Sequence, residues 1–248
     1  MREFGLIGRS LGHSFSQTYF TQKFLDLGLA DCRYDLFELP TAAELPALLR
    51  AHQGLRGLNV TVPYKQDVLP LLDEVVPAAA RIGAVNVIDV RPDGRLVGHN
   101  TDYIGFRESL RRFFPAGGPN TPALVLGMGG AAKAVEAALH DLGIPYQRVG
   151  RRPGAPGLTY ADLTPAVLAA HPLIVNTTPV GTFPHVAEAP DLPYGALTPG
   201  HFLYDLVYNP RETAFMARGL AAGAQVKNGY EMLCLQAEAA WDIWNGVS

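Results

Sequence analysis

Several short stretches hold side chains able to do chemistry. Gly127-Met128-Gly129-Gly130-Ala131-Ala132 leaves one apolar run and opens a helical one, the setting in which a strand-to-helix turn cradles a pyrophosphate. Small residues let the backbone come close to phosphate oxygens, and the helix N-terminus offers unpaired N–H groups and a positive dipole end. The same spacing also serves as a plain tight turn, but the surrounding βαβ pattern favours the dinucleotide reading. About 20 residues further on, an NAD site places Asp or Glu to hold the ribose hydroxyl. This chain instead reads Val149-Gly150-Arg151-Arg152. Two guanidinium groups without a carboxylate suit a 2′-phosphate, which points to NADP.

Other polar groups interrupt apolar or turn contexts. Asn59 and Thr61 alternate with Val60 and Val62 and so share one strand face, ahead of Pro63-Tyr64-Lys65 and an expected helix start. Spacing alone reads Lys65 as a surface lysine. Asn86 sits in GAVNVI, and Asn100-Thr101-Asp102 precedes a helix that Asp102 could cap. His13-Ser14-Phe15-Ser16 also precedes a helix, with Ser16 the expected cap. Asn176-Thr177-Thr178-Pro179-Val180-Gly181 follows a buried strand on the side where a nicotinamide would lie. Tyr208, Gly229 and Gln236 are uninformative taken singly.

The elements that position these groups alternate short β-rich runs with longer helical patterns, which predicts α/β architecture with mainly parallel sheet. Strands are expected over 4–7, 34–39, 57–62 and 84–90, with helices over 16–27 and 45–51. After a helix over 103–114 and the Pro/Gly-rich stretch PAGGPNTP, a cleaner βαβ series follows. Its strands are 123–126, 146–149, 173–175, 202–206 and 225–227, and its helices 131–142 and 211–222. A last helix over 232–244 has apolar residues on more than one side and is expected to pack back across the first unit.

With 248 residues, 48% hydrophobic and 17% charged, the chain can bury a core and fill one large or two ordinary domains. Its formal net charge of -3 excludes a global cationic field for nucleic acid or anionic lipid. Cys32 and Cys234 stand far apart and match no metal spacing, so neither a disulfide framework nor a bound metal is expected. MREFGLIGRSLGHS lacks the apolar core of a leader, and no window approaches the roughly 18 apolar residues of a membrane span. The expected setting is the cytoplasm.

Taken together, the segments GLIGRSLGHSFS, NVTVPYK, GAVNVI, NTD, GMGGAA, NTTPVG, YDLVYNPRETAF and GYEMLCLQAEAAWDIW resemble the shikimate dehydrogenase family, in the family's order and over nearly the whole chain. The resemblance implies reversible NADPH-dependent reduction of 3-dehydroshikimate to shikimate, a step in aromatic amino-acid biosynthesis. It implies a two-lobed α/β fold: a substrate domain over 1–101, completed by 230–248, and a Rossmann-type dinucleotide-binding domain over 102–229. Lys65 and Asp102 match the family's catalytic pair. Ser14 and Ser16 match its carboxylate ligands, with Thr61 and Tyr208 close by, and Asn59, Asn86, Asp102 and Gln236 match residues that hold ring hydroxyls. Gly127, Gly129, Gly130, Ala131, Arg151, Arg152, Thr177, Val207, Gly229 and Met232 match the cofactor site. The implied partner is the small-molecule substrate alone, with no nucleic acid or membrane, in a monomer or homodimer.

This chain departs from the family at Gly150, where Asn is common, at Arg152, where Thr is common, and at Lys227-Asn228. The first two remove small hydrogen-bonding groups near the adenosine ribose, while Arg152 adds positive charge. Two other readings stand beside the first. An NAD-using quinate/shikimate dehydrogenase is opposed by the paired arginines, and a catalytically silent NADP-binding sensor is opposed by the joint presence of Lys65, Asp102, Asn86 and Gln236.

Overall fold

The computed structural model describes residues 1–12, 14–152 and 157–247; His13 lies outside the described residues. The chain divides into two compact units, one of Met1–Thr101 with Gln236–Ser248 and one of Asp102–Leu235. The division falls inside two continuous helices, α4 (Thr101–Phe113) and α8 (Tyr230–Trp244). The chain thus returns to its first unit at Gln236 rather than at residue 230.

In the first unit β1 (Arg2–Gly8), α1 (Phe15–Asp26), β2 (Cys32–Glu38), α2 (Leu45–Ala51), β3 (Leu55–Val60), β4 (Glu74–Val75), α3 (Pro77–Ile82), β5 (Val87–Val90) and β6 (Leu96–His99) follow in order. They build a six-stranded sheet of order β2-β1-β3-β5-β6-β4. β1 runs parallel to β2 and β3, while β5 runs antiparallel to both β3 and β6. That reversal has a positional consequence. The carboxyl ends of β1, β3 and β6 and the amino end of β5 all lie along one sheet edge, which therefore collects the residues after Gly8, after Val60, before Val87 and after His99.

Side chains alternate between the sheet's two faces. Leu55, Leu58, Val60, Tyr64, Ala79 and Ile88 share one apolar core. Phe4, Phe20, Phe24, Tyr34, Ala237, Ala240 and Ile243 share the other, where α1 and the last part of α8 cover the sheet. Phe20 stacks on Tyr34 at 4.8 Å, and Phe4 meets Trp241 and Trp244 at 5.5 and 5.0 Å. Trp244 lies directly over Gly57, where a Cβ would fall on the indole, and its Nε1 donates to the Ile88 carbonyl at 3.1 Å. Glu238 of α8 accepts from Lys23 and Tyr19 of α1.

The second unit follows the βαβ pattern with β7 (Ala123–Leu126), α5 (Gly130–Asp141), β8 (Tyr146–Gly150), β9 (Leu158–Thr159), α6 (Pro165–Ala170), β10 (Leu173–Asn176), β11 (Phe202–Asp205), α7 (Ala214–Ala221) and β12 (Gln225–Lys227). Its sheet order is β12-β11-β10-β7-β8-β9, with every described pairing parallel. Strands buried on both faces need unbroken apolar runs, and Ala123–Leu126 and Leu173–Asn176 are buried at every position.

Three expectations need correction. The cap of α1 is Ser14, whose side chain accepts from the Gln17 amide, and Ser16 lies inside the helix. No helix starts at Lys65; residues 62–68 form successive turns instead, closed by Tyr64 N–H to Thr61 and Val68 N–H to Tyr64. Asp102 stands within the first turn of α4, whose first residue is Thr101.

Candidate active site

At the first unit's edge Asn59 is the penultimate residue of β3 and nearly fully buried. The Tyr34 hydroxyl donates to its Oδ1 at 2.6 Å. A carbonyl oxygen held this way turns the amide's Nδ2 donors elsewhere. The Tyr34 phenol is pushed far up by burial, and Ser16 also bonds it. Thr61 follows β3 and anchors to β1 through its amide, which donates to the Ile7 carbonyl at 3.0 Å. The Lys65 carbonyl accepts from the Val85 amide at 2.7 Å, tying the turn that bears this half-buried lysine to GAVNVI.

Asn86 is 3% exposed and Gln236 5%. Asn86 Oδ1 accepts from the Thr101 amide at 2.6 Å, and its Nδ2 donates to Thr101 Oγ1 at 3.1 Å and to Gln236 Oε1 at 3.4 Å. The Thr101 hydroxyl also donates to Gln236 Oε1 at 3.3 Å. Thus Asn86, a polar group in an apolar run, and Gln236, which only the family resemblance places in the site, meet around Thr101 of the NTD triplet. Tyr34 was not singled out; a tyrosine in an otherwise ordinary strand gave no signal of its hydroxyl's target. Asp102 is buried, one residue beyond Thr101.

In the second unit the sheet order reverses between β10 and β7, and ligands of open α/β sheets gather beyond the strand ends at such a point. The glycine turn follows β7, and Thr177-Thr178 follow Asn176, the last residue of β10, one on each side. Gly127 has φ +112°, and a Cβ there would stand 2.6 Å from Thr177 Oγ1, so only glycine fits. Gly129 is the N-cap of α5 and makes no side-chain cap hydrogen bond. A Cβ at Gly129 or Gly130 would meet nothing within 4 Å among the described residues. Ala131 continues the first turn of α5. Arg151 and Arg152 are exposed beyond β8. The N-terminus of α5, after β7, and two arginines after the neighbouring strand β8 are donors of the kind that fit a dinucleotide bearing an extra phosphate.

Gly150 has a local reason in this chain. A Cβ at that position would stand 2.8 Å from Met128 Cε, so the end of the Met128 side chain lies against the glycine. Lys227-Asn228 is structural as well. Lys227, Arg112 and Ser109 all bond Glu231, whose carboxyl burial raises but which these partners bring down to about 2. Asn228 donates to the Arg211 carbonyl and accepts from the Tyr230 amide. The Gly229 amide donates to the Val207 carbonyl at 3.2 Å, while Val207 and Met232 are buried. Tyr208, partly exposed, has its phenol raised by burial.

Residues 6–88 match the model of the shikimate dehydrogenase substrate binding domain. Shikimate dehydrogenase (NADP(+)) of Moorella thermoacetica is 40% identical over 263 residues, covering 97% of this chain and 87% of the relative. The NADP(H) and shikimate complex of shikimate 5-dehydrogenase from Thermus thermophilus superposes with a TM-score of 0.86 at 33% identity, covering 99% of this chain and 94% of that one. Quinate dehydrogenase from Corynebacterium glutamicum, in complex with NAD, gives 0.87 at 31% identity, with 99% and 94% covered.

Proposed function

The chain belongs to the shikimate dehydrogenase family, and from that premise we propose that it catalyses the reversible NADPH-dependent reduction of 3-dehydroshikimate to shikimate. The observation that carries the reading is the buried polar cluster of Asn86, Thr101 and Gln236 at the sheet edge that Lys65 and Thr61 also follow. Burying several polar side chains together is costly unless they serve one another or a ligand.

Each group has a part in this reading. The hydroxyls of Ser14 and Ser16, with Thr61 and Tyr208, bind the substrate carboxylate, and the amides of Asn59, Asn86 and Gln236 with Asp102 hold the ring hydroxyls. Gly127, Gly129, Gly130 and Ala131 cradle the pyrophosphate, Arg151 and Arg152 take the 2′-phosphate, and Thr177, Val207, Gly229 and Met232 line the rest of the cofactor site. NADPH, when bound, supplies the hydride. Lys65 gives the proton that the C3 oxygen needs as it gains negative charge, a contribution of about 10²- to 10⁴-fold for a positioned acid. Asp102 is its catalytic partner. The enzyme works in the cytoplasm as a monomer or homodimer.

Fold likeness does not separate this reading from quinate oxidation, since both solved relatives superpose equally well. The cofactor end does: beyond β8 stand two arginines in place of the carboxylate an NAD site uses. Crossing shikimate and quinate with NADP and NAD tests this. Shikimate with NADP should give the highest kcat/KM. Preference for quinate with NAD, or no turnover with any pair despite NADP binding, would overturn it.

A further inference from the structure

Asp205 is a carboxylate at the end of an apolar strand, and no role falls to it in the reaction described. It is fully buried, and so is Asn176, its register partner on β10. Its Oδ1 accepts from Asn176 Nδ2 at 2.9 Å and from the Val207 amide at 3.0 Å, and its Oδ2 accepts from Thr213 Oγ1 at 2.6 Å. Asn176 extends the network: its Oδ1 accepts from the Thr178 amide at 3.0 Å and from the Thr178 hydroxyl at 2.6 Å. One carboxylate oxygen therefore couples the backbone that follows β10 to the backbone that follows β11, and Val207 in turn accepts from Gly229.

Stability alone is a poor reason to keep such a group. These partners are neutral donors, and burial raises the carboxyl to about 6 despite them. A well-packed apolar side chain is often at least as stable as a buried charge. What an apolar residue could not do is hold two loop backbones in one fixed relation.

We propose that Asp205 is a positioning residue for the cofactor, fixing the backbone on either side of Thr177 and at Val207 so that both meet the nicotinamide end in register. The inference rests on the assignment of Thr177 and Val207 to the cofactor site. It predicts a loss confined to one substrate. In Asp205→Leu, which removes both carboxylate oxygens while keeping the branched shape of the side chain, NADP+ affinity by calorimetric titration should fall about tenfold or more, as expected when a buried acceptor is lost from a site. The KM for shikimate should stay within about twofold by the same arithmetic. Thr213→Val removes the donor on the other oxygen and the side-chain cap of α7. It should lower the melting temperature while leaving NADP+ affinity within about twofold. Asn176→Ala severs the link from the β10 side and should repeat the Asp205→Leu signature, which keeps the test open if Asp205→Leu does not fold. Wild-type NADP+ affinity in folded Asp205→Leu or in Asn176→Ala overturns the inference, as does a loss of NADP+ affinity in Thr213→Val equal to that of Asp205→Leu. Wild-type protein that binds no NADP+ overturns the cofactor assignment itself, and the inference with it.

Discussion

A buried primary amide can orient a ligand only if something orients the amide, and for Asn59 that is the Tyr34 hydroxyl at 2.6 Å. Removing the donor leaves a buried carbonyl oxygen unpaired, at a cost of about 1–3 kcal/mol. Tyr34→Phe should accordingly lower the melting temperature and raise the KM for shikimate, with NADP+ affinity unchanged; an unaltered KM would detach Tyr34 from the substrate site. Part of this scale was legible in the sequence: Asn86 stands out as a polar group in an apolar run, whereas Gln236 is placed only by the family resemblance. What was not legible depends on contacts across strands. Nothing local tells Ser14 from Ser16 as the cap, or links Tyr34 to Asn59, or marks Met128 as the occupant of the space above Gly150.

Among the elements, apolar runs with sharp borders were readable, as for α2 and β7, where expected and observed bounds coincide. Those without such a run were not: β4 has two residues, and α3 and α6 have six each. Such segments are too brief for periodicity to register and form because neighbours hold them. β6 was missed beyond the Asp93-Gly94 turn, and with it the antiparallel reversal that brings Asn86 to the same edge as Thr61. The C-terminal helix was expected to pack back on the first unit, and its final turns do so through Trp244 on Gly57. Overfilling a packed contact costs typically about 1–3 kcal/mol. Gly57→Ala should therefore displace Trp244, seen as a shift in tryptophan fluorescence with a lower melting temperature. An unshifted spectrum and melting point would mean that the indole does not bear on the strand.

For the molecule as a whole, stability toward acid depends on buried groups in both units. Burial, helped by the charge of Arg91, lowers the pKa of His99, whose Nε2 is buried without a hydrogen-bond partner among the described residues. Below about 6.5, the ordinary histidine value, the unfolded chain gains a proton that the folded chain resists, so this contribution to stability is lost as pH falls. Asp205 has the opposite sign. Its carboxyl, raised to about 6, binds a proton in the folded state first, so acidification from there toward 3.8 adds stability. The wild-type profile is the sum, and His99→Gln separates the two: its melting temperature should fall less than that of wild type between pH 7.5 and 5.5. Parallel profiles would contradict the His99 assignment. The central claim is that Lys65 gives the proton that completes the reduction. The direct measurement is the turnover of Lys65→Ala with 3-dehydroshikimate and NADPH, alongside its NADP+ affinity. Loss of at least about 100-fold in kcat with cofactor affinity retained is the predicted result; kcat near that of wild type would contradict the account.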